Sequence, residues 1–155
     1  MTDKTIWVID VDNTVADNSH RHSFAQAKDW DGFFMDALVE KDKPINTKGH
    51  FYQGHFIHGD HMFLTARPMR NYVVTQKWLV RHGYATPTTR LICKPEEARL
   101  LKAPEFKLGV MQTLAVDFPG YAFRLIDDHP RTLELVPGSV KAPDCWGDKL
   151  ALEGA

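Results

Sequence analysis

The stretch DVDNT, Asp10 to Thr14, sets two carboxylates either side of one valine at the end of the apolar run Ile6-Trp7-Val8-Ile9. A second pair, Asp127 and Asp128, closes the apolar run Tyr121 to Ile126. Acids are the side chains least often buried without partners, so runs that finish in acid pairs need either solvent or a positive group against them. If the ends of these runs converge, the carboxylates repel one another until a proton or a bound cation relieves them. Carboxylate oxygens plus water suit magnesium, which takes few protein ligands and commonly completes its shell from substrate phosphate. Asp10, Asp12, Asp127 and Asp128 are therefore candidate Mg2+ ligands.

The elements around these residues predict how they would meet. Short β-like runs alternate with helix-like stretches, the pattern of an α/β fold with a parallel sheet covered by helices. Thr5 to Ile9 is the first expected strand, and its unbroken apolar character suits a central position buried on both faces. His61 to Thr65 is the second, Arg90 to Ile92 the third and Tyr121 to Ile126 the fourth. A helix is expected from Pro68 to about His82, with Met69, Val73 and Val80 on one stripe, Val74 and Trp78 beside it, and Gly83 as its stop. Another should open at Pro104, with Phe106, Val110 and Leu114 recurring every fourth residue. Between the first two strands lies a long polar and aromatic insertion, residues 16–60, with a short helix expected around Ile45 to Ile57. In an open parallel sheet, ligands bind beyond the carboxyl ends of the strands, which is where Asp10, Asp12, Thr65, Asp127 and Asp128 fall.

Composition fits a single domain over residues 1–155. Apolar residues form 43% and charged residues 25% of the 155, proportions of a globular chain and unlike those of a disordered or membrane protein. The start, MTDKTIW, lacks a basic stretch followed by an apolar one, so the expectation is a protein that is not exported and does not enter a membrane. Two cysteines, Cys93 and Cys145, make neither a disulfide framework nor a cysteine zinc site, and fit a reducing cytoplasm. Nineteen Lys and Arg against twenty Asp and Glu give a formal charge of -1, so the overall field does not attract a polyanion, although a local basic patch remains open.

Together the motifs resemble those of the haloacid dehalogenase superfamily of phosphotransferases, in that family's order: DVDNT for its DxDGT, LTARP for the motif that ends a strand in Thr or Ser, and IDDHP for the acidic motif. Within the superfamily the chain looks most like the phosphatase domain of polynucleotide kinase-phosphatases, through NYVVTQKWLV, the TAR triplet and the late DCW. The resemblance implies a Rossmann-like core, an Mg2+ cofactor, and hydrolysis of a phosphate monoester through an aspartyl-phosphate. By this resemblance Asp10 is the nucleophile and Asp12 the general acid-base, an acid that marks the phosphatases of the family. Asp10, Asp127 and Asp128 are its metal ligands, and Asp12 contributes a backbone carbonyl. Thr65 offers its hydroxyl to phosphoryl oxygens, and Arg67 could grip the phosphate or a nearby acid, with a surface ion pair as the plain alternative. Lys107, at the start of the helix before the fourth strand, is the favoured lysine for neutralising charge near the nucleophile, with Lys94 as competitor. Asn13 stands where the family usually has Gly; it can adopt a left-handed turn and adds a side chain that could meet substrate.

Other residues carry weaker signals. His129 and Arg131 could contact phosphate, but a cap and a surface position are the simpler readings. His50, His55, His58 and His61 crowd one segment, yet a polar helix face and loop explain them better than zinc, and His20 and His22 read as exposed insertion residues. Trp30, Phe33 and Phe34 could stack on a base or simply dock the insertion on the core. The expected substrate is a phosphorylated small molecule, in particular a nucleotide, or a nucleic-acid 3'-phosphate end. A non-catalytic phosphate-binding domain and a phosphotransferase to a small alcohol remain as alternatives.

Overall fold

The computed structural model describes residues 4–45 and 61–142. The expected helix beyond Ile45, three of the clustered histidines (His50, His55 and His58) and Cys145 lie outside the described residues. Among those described, five strands form one parallel sheet in the order β5-β4-β1-β6-β7, built from β1 (Lys4–Ile9), β4 (His61–Pro68), β5 (Leu91–Lys94), β6 (Tyr121–Asp127) and β7 (Val140–Lys141). The short pair β2 (Ala16–Asp17) and β3 (Lys43–Pro44) is separate and antiparallel. Strand β1 lies between β4 and β6, as its unbroken apolar run requires.

Side chains alternate across a strand, so each strand feeds two cores. Ile9, Phe63 and Ile126 are buried on one face with Trp78 and Leu79 of α4 (Tyr72–Arg81). Val8, Leu64 and Leu125 are buried on the other with Phe106, Met111 and Leu114 of α5 (Ala103–Asp117). Val8, Ile9, Leu125 and Ile126 are wholly excluded from solvent, each stabilising the fold by about 1.5 to 3 kcal/mol.

Both long helices form where expected; α5 buries Phe106 and Leu114 of its expected stripe, whereas α4 turns a different stripe inward. In α4 the buried residues are Thr75, Trp78 and Leu79, while Met69 and Val73 of the expected stripe are half-exposed or more. Pro68 still belongs to β4 and a 3-10 turn over Met69–Asn71 precedes α4, so Met69 is not on the helix, and the large Trp78 and Leu79 side chains set its buried face. Gly83 ends this helix with φ +82°, a conformation open to glycine. In α5 the buried set is Phe106, Lys107, Met111 and Leu114, with Val110 only partly buried, so a lysine shares the sheet-facing stripe.

The insertion, as far as residue 45, holds α1 (His22–Gln26), α2 (Trp30–Phe33) and α3 (Asp36–Val39). It is tied to the α4 side of the core: Trp78 Nε1 donates to the Asp42 carbonyl at 2.9 Å, Asn71 Nδ2 to the Phe34 carbonyl at 2.8 Å, and the Tyr84 hydroxyl to the Ile45 carbonyl at 2.7 Å. After β6, α6 (Pro130–Leu135) leads to the edge strand β7.

Candidate active site

Register and alternation place the acids. Strand β1 aligns Ile9 with Ile126 of β6, and the ladder continues one step as Asp10 N–H donates to the Ile126 carbonyl at 2.9 Å. Asp10 and Asp127 are thus neighbours on adjacent strands, and alternation turns both toward the α5 face, where Val8 and Leu125 already point. Helix α5 supplies the countercharge. Lys107 Nζ sits 2.7 Å from Asp10 Oδ1 and 2.6 Å from Asp127 Oδ2, and all three residues are buried. Burial pulls the Lys107 pKa down, but the two carboxylates more than reverse this and hold it above its ordinary value. The other candidate, Lys94, turns away and donates to the Leu101 carbonyl.

One ammonium does not balance this end of the site. Asp10, Asp127 and Asp128 bring ligand oxygens within 4.8 Å of one another. If all are ionised, Lys107 leaves two negative charges uncompensated. Burial, with Asp127 and Asp128 adding repulsion, raises the Asp10 pKa well above the usual carboxylate range despite Lys107. Burial likewise raises Asp128, which is only partly buried, with Asp127 adding to the rise. A divalent cation matches the missing charge and the all-oxygen donor set, so these residues fit the magnesium that the motifs imply. Thr14 Oγ1 donates to Asp10 Oδ2 at 2.9 Å, and His129 N–H to Asp127 Oδ1 at 2.9 Å, which fix both carboxylates.

Asp12 faces a different environment. The turn after Asp10 is closed by Asn13 N–H donating to the Ala16 carbonyl at 2.7 Å, with Asn13 at φ +63° as an asparagine permits. The Asp12 carboxylate accepts from Arg67 Nε at 3.1 Å and Nη2 at 2.8 Å, from Asn18 Nδ2 at 3.2 Å and from Arg21 Nη2 at 3.4 Å. Burial acts to raise its pKa, but the guanidinium of Arg67, with Arg21 behind it, prevails and lowers it. The Asp12 carboxylate lies outside the Asp10, Asp127 and Asp128 cluster, so any part it has in holding a cation falls to its backbone carbonyl.

Arg67 departs from a surface ion pair. It is 1% exposed, and its Nη1 donates to Thr75 Oγ1 at 2.9 Å while Nη2 also reaches Asp42 Oδ2 at 2.8 Å, so four of its five N–H groups are bonded within the protein although it lines the cleft. The nearby acid expected as one of its partners is Asp12. Thr65 is buried at the end of the central run of β4, and its Oγ1 accepts the Arg67 N–H at 3.1 Å.

A cleft of about 330 Å³ lies at the carboxyl ends of the strands, lined by Asp10, Asp12, Asn13, Arg67, Lys107, Asp127 and Asp128, with Phe33 and Phe34 from the insertion; Thr65 is buried and does not line it. A larger cavity of about 410 Å³ lies at the opposite, amino ends of β4 and β6, beside His61 and Tyr121, and none of the paired acids lines it. Trp30 stands outside the cleft lining, 50% exposed, stacked on Phe34 at 6.3 Å and 27°. Phe33 is buried beneath the Arg21 guanidinium at 4.5 Å, a docking role. His129 caps α6, its Nδ1 accepting from Arg131 N–H at 3.2 Å, and Arg131 is exposed beside Glu105 and Glu134. His61 is buried with Nε2 3.0 Å from the Tyr84 carbonyl. His20 and His22 are exposed, as expected of insertion residues, and each also bonds within the insertion, to Asp42 and Asn18 respectively. Sequence reasoning missed Arg21 and Asp42; a buried arginine in a polar insertion has no periodic signature that would have singled it out.

No protein-family model and no curated protein matches the chain. The fold does have solved counterparts. The class C acid phosphatase of Bacillus anthracis superposes with a TM-score of 0.52 at 18% identity, over 73% of this chain and 48% of that one. Its tungstate-bound form gives 0.52 at 17% identity over the same shares. A hydrolase from Streptococcus pneumoniae TIGR4 gives 0.49 at 13% identity over 87% and 88%. The chain thus spans about half the length of the acid phosphatase structures it matches. The shared architecture is the α/β fold with a central parallel sheet between helices. Among the described residues, no helix is long and apolar enough to cross a membrane.

Proposed function

We propose that the chain is a magnesium-dependent phosphate monoester hydrolase of the haloacid dehalogenase type. The observation that carries this reading is the pairing of two unlike carboxylates two residues apart: Asp10 against Lys107 and the acidic pair, Asp12 in the grip of Arg67. An Asp10 oxygen attacks phosphorus to give an aspartyl-phosphate. Asp12 delivers a proton to the departing oxygen, then takes one from the water that cleaves the intermediate. Lys107 holds Asp10 in place and offsets negative charge as phosphate enters, and the Thr65 hydroxyl and nearby N–H groups receive phosphoryl oxygens. Asp10, Asp127, Asp128 and the Asp12 carbonyl would hold Mg2+, which supplies Lewis-acid charge stabilisation at the phosphoryl group. The fold shared with an acid phosphatase supports this chemistry.

The substrate we assign is a nucleotide or a nucleic-acid 3'-phosphate end, following the motif resemblance to polynucleotide kinase-phosphatases. The aromatic wall of Phe34 and Trp30 beside the cleft supports it, since an exposed indole stacked on a second ring is a platform for a base. A phosphate-release screen with Mg2+ over nucleoside monophosphates, 3'-phosphorylated oligonucleotides and sugar phosphates tests this. Strong salt dependence on oligonucleotides would mark strand tracking, and weak dependence with preference for short substrates would mark a mononucleotide enzyme. Preference for sugar phosphates would reject the nucleotide assignment, and phosphate recovered on added glycerol rather than water would make the chain a transferase. Phosphate binding with no release from any ester would reject the enzyme reading.

A further inference from the structure

Arg21, Arg67 and Asp42 are buried together, and two of the three come from the insertion. Asp42, between α3 and β3, has a side chain with no solvent exposure. Its Oδ2 accepts from Arg21 Nη2 at 2.7 Å and from Arg67 Nη2 at 2.8 Å, and its Oδ1 accepts from Arg21 Nε at 2.8 Å. His20 Nε2 lies 2.8 Å from the same Oδ1. Arg21 is further fixed by Nη1 donating to the Phe33 carbonyl at 2.7 Å. Both guanidinium groups then converge on one oxygen of Asp12, Arg67 closely and Arg21 at 3.4 Å. Asp42 itself does not line the cleft.

Two carboxylates and two guanidiniums balance in charge, but burying ions is a poor route to stability compared with apolar packing. The arrangement does fix geometry. Arg67 Nη2 is shared between Asp12 and Asp42, so without Asp42 the Arg67 fork loses one of its anchors and both cations are left to Asp12 alone. We propose that Asp42 is a positioning residue, which through Arg21 and Arg67 holds the Asp12 carboxyl in line with the oxygen that leaves phosphorus. The inference rests on the hydrolase reading above. In the step concerned, an Asp10 oxygen bonds to phosphorus and the P–O bond to the leaving group breaks with its electron pair. Asp12 pairs with Arg67 as a carboxylate, so the proton it gives to that oxygen is one taken up from solvent as the anionic phosphate enters beside it, and its transfer returns Asp12 to the carboxylate form.

The insertion on this view belongs to the acid-base machinery. A test follows from leaving-group chemistry. An alkoxide leaves poorly without a proton, whereas p-nitrophenolate leaves readily without one. The rate of alcohol or nitrophenol release is measured with Mg2+ for an alkyl phosphate and for p-nitrophenyl phosphate, on the wild-type chain, Asp12→Asn, Asp42→Asn and Arg21→Lys. The ratio of the two rates within one variant is independent of how much of the protein is folded. Asp42→Asn should lose about 10²-fold in kcat/KM on the alkyl ester, the scale of a displaced catalytic group, with a loss at least about tenfold smaller on the aryl ester, because kcat/KM reads only the steps up to the aspartyl-phosphate and not its hydrolysis, which both esters share. Arg21→Lys, which keeps the charge and loses the fork, should show the same selectivity and decides the matter if Asp42→Asn does not fold. Asp12→Asn should be selective in the same sense. Equal losses on both esters in Asp42→Asn and Arg21→Lys, with Asp12→Asn selective, would overturn the positioning role alone. Equal losses in Asp12→Asn, or no hydrolysis of either ester by the wild-type chain, would overturn the reading of the site and this inference with it.

Discussion

The two halves of the cleft solve the same problem in opposite ways. Around Asp10, three carboxylates face one lysine, and burial, with repulsion between the carboxylates added to it, raises the pKa of Asp10 and Asp128. Around Asp12, two carboxylates face two guanidiniums, and Asp12 is lowered instead. Two acids separated only by Val11 thus carry opposite electrostatic biases. The proposed roles run against these biases: Asp10 must be ionised to attack, which a bound cation favours, and Asp12 must gain a proton, which an entering phosphate dianion favours. The first half is short of positive charge, which a proton or a cation would supply, and the second is balanced as it stands.

The sharpest way to break the comparison is to neutralise each acid in turn. Asp10→Asn should abolish turnover and give no covalent phosphoryl adduct in acid-quenched protein; an adduct, or normal turnover, would remove Asp10 from its role. Asp12→Asn should reduce turnover by about 10²- to 10⁴-fold, the contribution of general acid-base catalysis, measured as kcat on an alkyl phosphate.

Cation binding separates the halves by stability. At a Mg2+ concentration about 100 times its Kd, the wild-type chain should gain about 2.7 kcal/mol against unfolding, and Asp10→Asn distinctly less, read by thermal melts with and without chelator. Because the folded pKa of Asp10 lies above its unfolded value, its charged form costs stability at pH values above the unfolded pKa, and that cost is relieved as pH falls through the folded pKa. Cation-free Asp10→Asn should therefore melt higher than cation-free wild type at neutral pH. A lower melting temperature for the variant would contradict the imbalance.

Outside the charged groups, Trp30→Ala should cost about 1 to 3 kcal/mol in kcat/KM on a nucleotide and much less on a small generic ester. Equal losses, with the fold intact, would leave the Trp30 and Phe34 stack as packing only. The smallest expected effect is on the acid side of stability. The folded pKa of Asp12 is depressed, so its ion pairs stabilise the fold above the unfolded carboxylate pKa, and the contribution disappears as pH falls through the folded pKa. Asp12→Asn should flatten that acid limb, as measured by denaturant unfolding at a series of pH values.

Sequence alone identified β1, β4, β5 and β6 to within a few residues, both long helices, and the acids at the strand ends, because these features are local. An apolar run marks a buried strand, a proline opens a helix, and an acid after an apolar run breaks the pattern audibly. It also favoured Lys107 over Lys94, and the structure puts the Lys107 ammonium between Asp10 and Asp127. What the sequence did not determine was angular phase and long-range pairing. Met69 fell in a 3-10 turn before α4 and the helix buried Trp78 and Leu79 rather than Val73, and edge strand β7 was too short to show a pattern. Arg21 and Asp42 lie 21 residues apart in a segment without periodicity, and Arg67 pairs with Asp12 across 55 residues. Only the folded sheet, by fixing the register of β1 against its neighbours and docking the insertion on α4, decided which charge each acid would meet. Coulomb interaction depends on distance in space and on burial, and neither is written in the order of residues.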